Sequence, residues 1–145
     1  MEILARLTRR QVDALRTIGP RETPLQGVSL KVIAASLKVR PPSALAHVTP
    51  LEKLGLVERY RGKSRLTARG RATLLEYHRH HRVAETLFSQ LGLTPEATCA
   101  AAREVDLSLS HKTVERVCAA EGHPSVCPHG EPITPCFDRK GGVGA

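Results

Sequence analysis

The sequence predicts a mainly α-helical protein with one small β-hairpin in its first half. Three observations predict it. The hydrophobic content, 41%, comes largely from Leu, Ala and Val, with two Tyr, two Phe and no Trp, a mix that favours helices over a β-sandwich. Ser or Thr stands in a capping position ahead of each of several apolar stretches: Thr8, Ser29, Thr67, Thr94 and Ser110. A single stretch, LVERYRGKSRLT (56–67), places β-favourable residues on both sides of a glycine turn.

Taken in order, Leu7, Val12, Leu15 and Ile18 form a loose helical stripe behind Thr8, and GPRETPLQG (19–27) stops it. Ser29 caps a short helix with Leu30, Ile33, Ala34 and Leu37 inward. Pro41 and Pro42 suit the first turn of the next helix, whose buried face is Leu45, Val48, Leu51 and Leu54 and whose end is Gly55. Pro50 lies inside that segment, lacks the N–H that would bond the Ala46 carbonyl, and predicts a bend or break there. The hairpin follows, then a long helix from Thr67 to about Gln90, a helix with Thr94 as cap and Pro95 in its first turn, and another from Ser110 to about Ala120. The last stretch is rich in Pro and Gly and reads as irregular.

Helix, helix–turn–helix, then hairpin is the order of a winged helix-turn-helix. In that arrangement the second helix of the pair enters the DNA major groove and the hairpin lies along the backbone. Charge agrees with it. Residues 1–75 hold 15 Lys/Arg against 5 Asp/Glu, whereas residues 76–145 hold 7 against 9. A basic front half on a near-neutral back half points to a nucleic-acid module joined to something else. The expected DNA contacts are Lys38, Arg40, Pro42, Ser43, Ala46 and His47 around the reading helix, and Arg61, Lys63 and Arg65 on the wing. With the reading segment cut to 42–49 by Pro50, no Arg, Asn or Gln faces the bases, so phosphate contacts should dominate over base readout. The expected division is a DNA-binding domain over 1–70, a helical dimerisation and metal-binding domain over 71–135, and a flexible tail over 136–145.

Other classes find less support. No apolar run approaches the roughly 18 residues of a membrane span, and arginines at 6, 9 and 10 interrupt any leader-like stretch; the chain reads as cytoplasmic. No Walker loop, G-x-S-x-G or H-E-x-x-H is present, so an enzyme is not expected. The four cysteines, Cys99, Cys118, Cys127 and Cys136, form no C-x-x-C pair, which argues against a zinc ribbon; a buried small hydrophobe is the commoner fate of such a thiol.

HRHHRVAETL (78–87) puts three histidines within four positions. A metal site, a proton switch and the wet face of a helix all fit that pattern. Together with V-x-PPS near 39–43, LEKLGLVERYRG-x-x-LT-x-x-G at 51–70, LGL at 91–93, VERV at 114–117 and GHPSVCPHGEPI at 122–133, it resembles the diphtheria toxin repressor / manganese transport regulator family. The resemblance covers roughly residues 8–133. It implies a metal-activated dimeric repressor that binds an operator in double-stranded DNA through a winged helix, here in the short form without the SH3-like domain that some members carry.

On that resemblance His81 and Glu85 match the family's ligands on the long helix, and their i, i+4 spacing puts both on one face. Cys99 falls where the family has a histidine, which favours Zn²⁺ or Fe²⁺ over Mn²⁺ as the divalent cofactor, if one is kept. Cys127 or Glu131 is expected to complete the set, and His78 and His80 are read as solvent-facing. The family's activation site is altered: Arg10, Arg103 and Leu107 occupy ligand positions, and only Asp106 keeps a carboxylate. The expectation is that Arg10 or Arg103 pairs with Asp106, replacing the ion as a structural bridge. Two further readings stay open, a metal-independent or thiol-redox-responsive repressor using Cys99 and Cys127, and a dimeric interaction or metal-binding protein that has lost specific DNA binding. Dimerisation is expected because Leu74, Leu75, Val83, Leu87, Leu91 and Leu93 need more cover than a short chain supplies.

Overall fold

In a computed structural model of the chain, residues 2–135 are described. The expectation of a flexible tail, and Cys136 with it, lies outside them. The chain divides into two compact units, one over Arg6–Leu74, the other made of residues 2–5 with 75–135 among those described. Residues 2–5 thus group with the second unit. No described helix is long and apolar enough to cross a membrane.

The first unit is a winged helix-turn-helix. It contains α1 (Arg9–Arg21), β1 (Val28–Ser29), α2 (Leu30–Leu37), α3 (Pro41–Lys53), β2 (Val57–Tyr60) and β3 (Lys63–Leu66), and α4 (Ala68–Gln90) starts within it. The starts are set locally. Thr8 and Gln11 form a reciprocal capping box, and Ser29 accepts the Val32 N–H. Val12, Leu15, Ile18, Ile33, Leu37, Val48, Leu51 and Leu56 are almost fully buried and form its core. The sheet is antiparallel in the order β1-β3-β2, with Val57 opposite Leu66 and Tyr60 opposite Lys63. Arg61 and Gly62 both take positive φ, the two-residue turn whose twist matches the strands it joins. Glu22, just past α1, accepts the Leu66 N–H at 2.6 Å and pairs with Arg71 at 3.2 Å, pinning the wing to the helices.

Two expectations change here. α3 does not break at Pro50 but runs on to Lys53. The ring forfeits one hydrogen bond, to an Ala46 that faces solvent, and burial of Val48 and Leu51 on the same helix offsets a cost of about 3 kcal/mol. The wing also has a third strand: Val28 and Ser29 pair with Ser64 and Lys63.

The second unit holds the rest of α4, α5 (Pro95–Val105) and α6 (His111–Ala120). Thr94 and Ser110 cap α5 and α6 through the Ala97 and Thr113 N–H groups. Val83, Val114, Cys118, Cys127 and Ile133 pack into one buried cluster, which fixes the stretch after α6 against α4. Leu74 and Val83 are buried, but Leu75 and Leu91 are exposed.

Candidate metal centre

α4 supplies the first donors. His81 and Glu85, one turn apart, are 12% and 5% exposed, and His81 Nε2 meets a Glu85 oxygen at hydrogen-bond distance. The Thr94 cap and Pro95 start α5 so that Cys99 lies in its second turn, with Sγ 3.7 Å from His81 Nε2. The stretch after α6 closes the group from the other side. Its tight turn is held by Gly130 N–H to the Cys127 carbonyl and Cys127 N–H to the Glu131 carbonyl, both 2.9 Å. Arg82 donates to the Pro132 carbonyl at 2.7 Å and Arg79 Nε to the Thr134 carbonyl at 3.1 Å, clamping the stretch onto α4. As a result His129 Nδ1 sits 2.7 Å from Glu85 Oε2. Donor atoms of His81, Glu85 and Cys99 lie within 4.8 Å of one another, as do those of Glu85, Cys127 and His129. Glu85 belongs to both groups.

His81 is oriented from behind. Asp106, 0% exposed, takes its Nδ1 on Oδ2 at 2.8 Å and the Tyr77 hydroxyl on the same oxygen at 2.9 Å. Tyr77 also stacks on the His81 ring. A carboxylate behind a histidine, leaving the other ring nitrogen free for an ion, is the usual support of a metal-binding imidazole. Two imidazoles, a carboxylate and two thiols suit a borderline divalent transition ion such as Zn²⁺ or Fe²⁺. The residues present therefore fit the group.

The placement of the predicted residues is uneven. His81, Glu85, Cys99 and Cys127 come together. Glu131 does not join them: it is 61% exposed and its carboxylate lies 3.7 Å from Arg82. His129, not singled out in the sequence, faces Glu85 in its stead, and the only prior signal was its place in the VCPHGE motif. His80, expected in solvent, is fully buried, because α4 is covered on more than one side, and burial lowers its pKa to about 4. His78 is half-buried. Asp106 has a job the sequence did not indicate, as the acceptor behind His81. Arg10 donates to the Leu37 carbonyl at 2.8 Å within the winged helix, Arg103 lies in the last turn of α5, and Leu107 is half-buried just after it.

On the winged helix, Lys38 ends α2 in the left-handed conformation and Arg40 occupies the N-cap of α3. Lys38, Arg40, Pro42, Ser43, Ala46 and Arg61 are exposed, while His47, Lys63 and Arg65 are half-buried. The Arg61 guanidinium lies 5.2 Å from the centre of the exposed Tyr60 ring, an arginine–aromatic contact at the wing tip.

Comparison with known proteins bears on both units. Residues 67–135 match the iron dependent repressor, metal binding and dimerisation domain. That match, over just under half of the chain, agrees with the resemblance to the diphtheria toxin repressor / manganese transport regulator family. A hypothetical protein from Sulfolobus solfataricus is similar at 29% identity and TM-score 0.81, over 88% of this chain and 99% of that one. The T. acidophilum IdeR is similar at 27% identity and TM-score 0.67, over 96% of this chain and 63% of that one. A manganese-dependent transcriptional repressor, solved in complex with manganese, shares 30% identity at TM-score 0.71, over 89% of this chain and 59% of that one. The chain thus spans less than two thirds of those two repressors. No curated protein sequence matches it. It is homologous to metal-dependent transcriptional repressors, a family of regulators.

Proposed function

We propose that the chain is a dimeric, metal-responsive DNA-binding regulator of transcription, whose effector is a divalent transition ion held by His81, Glu85 and Cys99 and closed by Cys127 and His129. The observation that carries this reading is the convergence of α4, α5 and the 127–133 turn on Glu85, beside an imidazole oriented from behind. When bound, the ion supplies a charged cross-link among those three segments. The protein side is clear without it: Asp106 and Tyr77 aim His81, Arg79 and Arg82 hold the turn, and Glu85 joins the two donor groups. The exposed Lys38, Arg40, Pro42, Ser43, Ala46 and Arg61, with His47, Lys63 and Arg65, form the DNA face. Phosphate contacts there should each add about 0.9 to the log–log salt slope.

The test is selection of tight duplexes from a random library, followed by anisotropy titrations with Zn²⁺, Fe²⁺, Mn²⁺ or chelator. The expected result is at least a tenfold change in affinity on adding an ion, abolished by His81→Ala. Equal affinity with ion and with chelator would refute metal control. A second reading, thiol-redox control, draws on the imidazole beside Cys99, a setting that can activate a thiol. It requires that peroxide change DNA affinity in chelated protein and that Cys99→Ser remove the change.

A further inference from the structure

We infer that the second unit holds a further divalent-cation site, with Glu76, His80 and His111 as ligands, separate from the cluster around His81. The three donor atoms lie within 4.8 Å of one another. Glu76 and His80 are one turn apart on α4, and His111 is the first residue of α6.

The spacing is the first argument. Glu76 Oε1 is 3.7 Å from His80 Nε2 and 3.7 Å from His111 Nδ1. Direct hydrogen bonds would close to about 2.9 Å. Two ligands of one tetrahedral ion, each about 2.1 Å from it, stand roughly 3.4 Å apart. The observed separations match a shared ion better than a direct pair.

Burial is the second. His80 is 0% exposed, and neither ring nitrogen makes a hydrogen bond of good geometry, the Asp106 backbone offering only a marginal one. His111 Nδ1 is likewise buried and unpartnered. Polar atoms left bare in the interior cost on the order of 1–3 kcal/mol each, and here the nitrogens in question border one carboxylate oxygen. A bound cation would satisfy His80 Nε2 and His111 Nδ1, the two that border the Glu76 oxygen, together.

The surroundings supply support and charge. Glu115 takes His111 Nε2 at 3.3 Å, again a carboxylate behind an imidazole that leaves the other nitrogen for an ion. Glu2 accepts the His111 backbone N–H on both oxygens at 2.9 Å, which explains why the first residues of the chain group with this unit. Arg79 Nη2 is 3.9 Å from Glu115. Three carboxylates and one guanidinium leave two negative charges, which a divalent ion would neutralise. The donor set, two imidazoles and a carboxylate, suits Zn²⁺ or Co²⁺.

Cobalt distinguishes the two sites, because only the His81 cluster contains thiols. The experiment titrates Co²⁺ into the full chain and follows the thiolate-to-cobalt absorption in the near ultraviolet together with total bound metal. The expected result is two equivalents, one with the thiolate band and one without. His111→Gln and Glu76→Gln, at partly exposed positions, should each remove the bandless equivalent and keep the thiolate band. Cys99→Ser should weaken or shift the band and keep the other equivalent. A wild-type protein that binds only the equivalent with the thiolate band overturns the site, as does unchanged stoichiometry in both Gln variants. A missing thiolate band beside a retained bandless equivalent would instead overturn the His81 cluster and leave this site standing.

Discussion

The two units bury different chemistry. Among the described residues, the winged helix buries only hydroxyls as its polar side chains: Thr17, Ser64 and Thr73. Each is small and can return a hydrogen bond to nearby backbone, as Thr17 does to Asp13 and Thr73 to Arg69. The second unit buries Arg79, His80, Glu85, Thr98 and Asp106. Charged and imidazole groups are costly to desolvate unless they are closely partnered. The first unit is therefore a structure held by apolar burial, and the second gives up part of that stability to keep reactive donors in place.

The sharpest way to test the contrast is a pair of truncations. Leu51→Ala, at a fully buried position of α3, should lower unfolding free energy by about 2–5 kcal/mol and leave metal affinity unchanged, as read by denaturant melts and chelator competition. Asp106→Ala should do its damage in the other currency. Loss of the acceptor behind His81 should weaken divalent-ion binding by about 10- to 100-fold. Equal metal affinity in wild type and Asp106→Ala would show that His81 is not aimed by Asp106.

The smallest effect is a matter of pH. Glu121 ends α6, its two oxygens are buried without a hydrogen bond, and burial raises its pKa from 4.5 to about 7. The folded state thus holds that proton more tightly than the unfolded chain, and stability falls as pH rises through the interval from 4.5 to about 7. Glu121→Gln should melt higher than wild type at pH 8 and close to it at pH 4. The opposite order at pH 8 would mean that the carboxylate has a stabilising partner.

Most of the fold was legible because its signals are local. Thr8, Ser29, Thr67, Thr94 and Ser110 each bond a backbone N–H three residues on, and such a contact depends on nothing distant. The wing turn at Arg61-Gly62 is similarly self-contained. Features that depend on tertiary return were not legible. Strand β1 is two residues long and exists only because β3 passes beside it. Pro50 signals a break, yet its helix is held by the burial of Val48 and Leu51. His80 and His81 are neighbours in sequence and both largely buried, on different sides of α4, which no periodicity predicts once a helix is covered on several sides. At the candidate centre, the i, i+4 pair on α4 was readable from spacing alone. His129 was not, since its approach to Glu85 depends on how the chain turns back after α6.

The clamp on that returning stretch uses carbonyls. Arg82 and Arg79 grip the main-chain oxygens of Pro132 and Thr134, groups that every amino acid possesses. Substitutions along the outer side of the stretch can therefore accumulate without loosening its attachment, provided the two arginines and the donor side chains persist. Such a segment can drift widely between lineages, and new donors can be tried at 127, 129 or 131 while the scaffold that presents them stays the same.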